Sequence, residues 1–333
     1  MAQSESEAES GPDATPSTAR PVVVAVGNQP ADSALEYAAQ QALREGCGLH
    51  LIHVLHPGPT GPESALLDYT EVDQVGHDLL QAAVERAGDL LGGRAPLTSA
   101  LLRGPVVSTL LEATEGTARA VVMQRRDVSR VIRSVTRSIS SGVASHAHVP
   151  VVSVPAGWSE AAVERNHGRP VVTVGVDVPG RCAPVVATAA AEARSRDGSL
   201  HVLHTWWFPS VYDDVITSRV ENAAWADRAR EEIQAVVAGL GDAVRGVPVE
   251  IEARHAHPAD ALLDAGREST LLVVGRHDPL VPFGSHLGPV ARAVLRDAGC
   301  PVLLANPTDA HGIRRRHHHS TSDTTTPESM VMF

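Results

Sequence analysis

From position 20 onward the chain alternates short β-branched runs with longer stretches in which Ala, Leu, Glu and Arg recur at helical spacing, and the alternation starts afresh near position 169. The apolar runs predict strands near 21–27, 49–55, 97–102, 119–124 and 150–154, then near 170–177, 199–206, 248–254, 270–275 and 301–305. Stretches between them, such as LEYAAQQAL from Leu35 to Leu43, place apolar residues on one helical face. Strands with few polar interruptions, separated by helices, belong to a parallel sheet covered on both sides. The expected fold class is α/β, with a βαβαβαβαβ unit built twice: two tandem doubly wound five-stranded parallel-sheet domains.

The second unit repeats the first in register. Arg20-Pro21-Val22-Val23 returns as Arg169-Pro170-Val171-Val172, GLHLIHVLHP from Gly48 as SLHVLHTWWF from Ser199, and HVPVVSVP ending at Pro155 as GCPVLLANP ending at Pro307. Leu49 and Leu200 lie 151 positions apart, as do Pro150 and Pro301. The repeat divides the chain into domain 1 at 20–155 and domain 2 at 169–307, joined by a linker at 156–168. Residues 1–19 and 308–333 are rich in Ser, Thr, Glu, Asp and His and carry too little apolar content to offset the entropy of ordering, so they read as disordered tails. Related domains pair by two-fold symmetry, and the last strand of each half is an apolar edge. The halves are therefore expected to form an internal pseudo-dimer through Val149–Val154 and Val302–Ala305.

Composition removes several functions. A hydrophobic content of 43% supports an ample core, and no apolar run reaches the length of a membrane span. The acidic start MAQSESEAES lacks the basic-then-apolar order of a secretory signal, so the expected compartment is the cytoplasm. A net charge of −11 gives no general attraction to nucleic acid. Lysine is absent from the chain, which excludes a Walker-type phosphate loop and Schiff-base chemistry. Cys47, Cys182 and Cys300 form no CxxC pair and read as small core residues.

Tandem doubly wound halves, the VGVD that closes with Gly175-Val176-Asp177, the LHxxH second strands and a final loop and helix running into CPV together resemble the universal stress protein family over nearly all of the patterned chain. The resemblance implies an adenine nucleotide α-hydrolase-like, Rossmann-like fold. It also implies that some members bind ATP through an aspartate closing the first strand, a residue closing the second, and a loop of form G-x2-G-x9-G-[ST] after the fourth, while others have lost the motif. Domain 2 reads Gly275-x2-Asp278-x9-Gly288-Pro289, so two of the four positions survive. Asp278 brings a like charge toward a phosphate, and Pro289 removes both the N–H and the hydroxyl of the motif's Ser/Thr. The cofactor-binding candidates are Asp177, Thr205, Gly275, Gly288 and, as replacement cations, Arg276 and His277. The two glycines are also what a tight strand–loop–helix turn requires by itself. In domain 1 the same positions are Gln124, Asp127, Arg137 and Ser138, with Gly27 in place of the aspartate, and nucleotide binding there is not expected.

Other features are weaker. Arg126, Arg130, Arg133 and Arg137 would share one helical face, as an anion or partner surface or simply a solvated one. The tail run RRRHHH from Arg314 reads as solvated. His50, His53 and His56 alternate across a strand and cannot converge on a metal, and His204 repeats His53 in a structural role. His255-x-His257 lacks further ligands, and Ser285 is out of place for a nucleophile elbow. Trp206, Trp207 and Phe208 are expected to dock the halves on each other. No catalytic residue and no metal set is assigned. The expected function is a non-catalytic tandem stress-response regulator acting through protein contacts or weak ligand binding; the alternative is an ATP-binding, slowly hydrolysing protein that uses domain 2 alone.

Overall fold

The computed structural model describes residues 19–56, 69–125, 139–207, 222–276 and 287–306. The first half contains β1 (Val22–Val26), α1 (Asp32–Glu45), β2 (Leu49–Leu55), α2 (Tyr69–Leu91), β3 (Leu97–Arg103), α3 (Val106–Thr114), β4 (Ala120–Arg125), α4 (Ile139–His146) and β5 (Val151–Pro155). After α5 (Glu160–His167) the second half follows with β6 (Val171–Val176), α6 (Ala183–Ser195), β7 (Ser199–Trp206), α7 (Asn222–Gly239), β8 (Val249–His255), α8 (Pro258–Ala265), β9 (Leu271–Gly275), α9 (Pro289–Asp297) and β10 (Val302–Ala305). Each strand lies within about a residue of its expected position at either end, because an apolar run with turn residues at both ends is a local signal.

All ten strands join one sheet in the order β3-β2-β1-β4-β5-β10-β9-β6-β7-β8. Within each half the pairing is parallel, and the halves meet where β10 runs antiparallel to β5, with Val302 opposite Ser153 and Leu304 opposite Val151. The sheet is therefore mixed but mostly parallel. Both seam strands are buried along their whole length, so pairing them removes two apolar edges that would otherwise invite association. The expected joining of the halves through their last strands is what the structure contains.

One core packs α1, α2, α6 and α7 against one side of the sheet and runs across both halves; α3, α4, α8 and α9 cover the other. Gly46 ends α1 in the left-handed conformation (φ 62°), and its N–H returns to the helix's last carbonyls. The span between the halves, expected as a linker, carries α5 and is strapped to α1. Glu36 accepts from the Ser159 hydroxyl (3.0 Å) and the Glu160 N–H (2.9 Å), and Arg44 pairs with Glu160 at 2.6 Å.

Two polar devices lock the halves together. On the α1/α6 side, the buried Arg196 guanidinium donates to Tyr37 Oη and Gln41 Oε1, both at 2.9 Å, and pairs with Glu192. On the other side, two arginines 151 positions apart are exchanged. Arg125, at the end of β4, donates to the carbonyls of Leu295 (3.1 Å) and Ala298 (2.5 Å) at the end of α9. Arg276, just after β9, donates to the carbonyls of Ala147 and Val149 (2.7 Å) beyond α4. A guanidinium at a helix C-terminus satisfies orphan carbonyls and complements the helix dipole.

The docking expected of the aromatics after β7 is corrected. β9 and β6 stand between β7 and the seam. Trp206 instead packs near the rings of His204 and His255, and Trp207 meets His257 edge-on at 5.2 Å. Phe208 lies outside the described residues. The aromatics beside the interface are Tyr37 and Trp158, whose centroids are 5.6 Å apart.

Burial pushes the Tyr37 hydroxyl up to about 12, against the opposing pull of Arg196. The fold favours the neutral phenol, so this contribution to stability is fully present below about pH 10 and is lost as pH rises from about 10 to 12. An ultraviolet titration of the native protein should show a phenol still protonated near pH 11, and Tyr37→Phe should remove that late component. Ionisation of all three tyrosines together, with one midpoint near pH 10, would contradict the burial.

Candidate functional site

In a doubly wound sheet a ligand crevice opens at the carboxyl ends of the two strands where the order reverses. Those pairs are β1/β4 in the first half and β6/β9 in the second. In the second half, Asp177 follows β6 directly and is exposed. The register Val176↔His204 brings Asp177 level with Thr205, which is half-buried near the end of β7. Gly275 closes β9, and a Cβ placed on it would meet no described residue within 4 Å. Gly288 is the N-cap of α9 in extended backbone (φ −69°, ψ 168°), and Pro289 occupies the first turn. Because β6 and β9 are neighbours, an exposed acceptor and a strand end without a side chain stand side by side, while Gly288 and Pro289 begin a helix start that lacks one donor.

Two members of the expected set fall differently. His277 lies outside the described residues, as do Asp278, the arginines at 126–137 and the RRRHHH run. The expectation that Arg276 supplies a replacement cation is corrected: its guanidinium is buried and already holds two carbonyls of the first half. Reaching a phosphate would leave those carbonyls without their donors, at a cost comparable to what the new contact returns.

In the first half a side chain bridges the equivalent place. The Gln124 Oε1 accepts the N–H groups of Ser33 (3.1 Å) and Ala34 (3.3 Å) in the first turn of α1, and its Nε2 donates to the Pro30 carbonyl (2.8 Å). The carboxamide thus spans from β4 to the β1–α1 turn. Sequence reasoning treated Gln124 as a lost glycine and missed this bridge. It also missed the exchange of Arg125 and Arg276, although their shared place in the repeat was a usable signal.

The paired histidines have the structural role expected of them. His53 Nδ1 donates to the Val26 carbonyl and His204 Nδ1 to the Val176 carbonyl, each at 2.9 Å, tying the ends of β1 and β6 to their neighbours. His50 bonds Thr98 Oγ1 at 2.7 Å instead. Among the described residues no group of three or more His, Cys, Asp or Glu is placed to hold a metal, and no helix is long and apolar enough to cross a membrane.

All three cysteines are buried. Burial pushes Cys182 up to about 11 and Cys300 up to about 12. The reactive thiolate is therefore scarce at neutral pH, and native protein should resist alkylation while denaturant exposes three reactive thiols. Fast labelling of any of them in the native state would refute this.

Comparison with known proteins agrees with this architecture. The sequence profile described as the universal stress protein family matches residues 18–155 and again 169–306. A universal stress protein of Mycobacterium tuberculosis is 29% identical over 303 residues, covering 85% of this chain and 94% of that protein. The crystal structure of a universal stress protein from Archaeoglobus fulgidus shares the fold with a TM-score of 0.62 at 17% identity, over 85% of this chain and 96% of that one. A structure of the universal stress protein from the same organism in complex with dAMP matches over 42% of this chain and 98% of that one, at 23% identity and a TM-score of 0.27. Two profile matches that span both repeats, and relatives aligned across both, show that the chain belongs to the universal stress protein family as a tandem member with two copies of its domain.

Proposed function

We propose that the protein is a non-catalytic stress-response regulator of the cytoplasm whose second half binds an adenine nucleotide weakly, with the first half as its fixed partner. The observation that carries this reading is the asymmetry of the two strand ends: Gly275 brings no side chain beside an exposed Asp177, while Gln124 reaches across to the start of α1 in the first half. Asp177 can accept from the exocyclic amino group of adenine, and Thr205 lies level with it. Weakness follows from the donors: Pro289 has no N–H to offer at α9, and Pro184 removes another in the first turn of α6.

The test is calorimetric titration of ATP into the full chain, with phosphate release followed in parallel. Saturable one-to-one binding that Asp177→Ala weakens, without release of phosphate, is the expected result. Absence of binding, or steady hydrolysis, would refute the reading.

A further inference from the structure

The two halves begin their first helix with the same defect and answer it differently. Neither Ala31 before α1 nor Cys182 before α6 supplies a side-chain cap. In the first half the missing acceptor arrives from 91 residues away, when Gln124 Oε1 takes the Ser33 N–H and, beside it, the Ala34 N–H. Its Nε2 is spent on Pro30, so both ends of the carboxamide are engaged inside the β1/β4 crevice. The residue 151 positions on is Gly275, where no described residue lies within 4 Å of where a Cβ would stand.

We infer that the Gln124 carboxamide is a built-in occupant of the first half's ligand crevice, placing on the α1 start the acceptor oxygen that a ligand would otherwise bring, and so confines adenine-nucleotide binding to the second half. The inference rests on the proposed function for the statement that the second half binds. It does not need that statement for the first half, where three hydrogen bonds of the Gln124 carboxamide carry it. A mere helix cap would leave the crevice indifferent to ligand once the cap is removed; an occupant, once removed, makes room.

Residue-resolved amide exchange at Ser33 and Ala34 separates these cases. In the native chain the two amides should exchange slowly and be unmoved by millimolar ATP. In Gln124→Gly they should exchange at least about tenfold faster and be slowed again by ATP. Gln124→Ala, which restores backbone restraint, serves as the second variant should the glycine loosen β4. The reverse graft, Gly275→Gln, should weaken ATP binding to the second half at least about tenfold, since a Cβ there meets no described residue within 4 Å and the carboxamide would stand where Gln124 stands in the first half. Amides that ATP already slows in the native chain, or that ATP leaves fast in a folded Gln124 variant, would overturn the inference. So would a Gly275→Gln protein that binds like the parent. If the parent binds no ATP, the proposed function fails while the amides of the Gln124 variants still decide the occupancy.

Discussion

Changing Asp278 to glycine and Pro289 to serine together is expected to raise the ATP affinity of the second half at least about a hundredfold. Pro289 stands in the first turn of α9 directly after the N-cap Gly288, so a serine there returns a backbone N–H and a hydroxyl to the point where the family motif has Ser/Thr. Each charge-assisted hydrogen bond is worth about 1.5–3 kcal/mol, and two of them exceed the roughly 2.8 kcal/mol that corresponds to a hundredfold. Removing the Asp278 carboxylate takes away a like charge as well. The equivalent repair of Gln124, Asp127 and Arg137 in the first half should yield less, because Gly27 provides no carboxylate for the base. Calorimetry on the parent and both repaired chains decides the matter: tight binding by the parent, or equal gains from the two repairs, would show that other residues control the site.

Removing the exchanged arginines should have the largest effect on stability. Arg276→Ala deletes two charge-assisted bonds and leaves the Ala147 and Val149 carbonyls buried without that donor, an expected loss of about 3 kcal/mol. Arg125→Ala should cost a similar amount through Leu295 and Ala298. Lysine at either place should recover a minor part, since a single ammonium cannot present the planar fork that meets two carbonyls at once. Arg267→Ala, which breaks an exposed pair with Asp264, is the control and should change stability by no more than about 0.5 kcal/mol. Urea unfolding monitored by tryptophan fluorescence measures all five. Arginine variants as stable as the control would mean that the seam between β5 and β10 holds without them.

The strands were legible in the sequence because each is a short apolar run whose limits depend on its own residues, and the tandem division was legible because the repeat holds one register. The pairing of β5 with β10 could also be foreseen, since each is an apolar edge with nothing else to cover it. Side chains with long reach were decided by the tertiary structure. Arg276 reads in sequence as a cation beside a phosphate loop, yet once β10 lies against β5 the nearest unsatisfied acceptors are carbonyls of the other half. Gln124 reads as a missing glycine, and only the closeness of β4 to the start of α1 turns it into an occupant. Trp206 and Trp207 look like docking residues by type, but the strand order puts β6 and β9 between them and the seam. Sequence pattern specifies which backbone segments form and which faces they bury, because these depend on local periodicity. The partner of a polar group at a strand end depends on which distant backbone comes within about 3 Å of it, and that is settled when the halves meet.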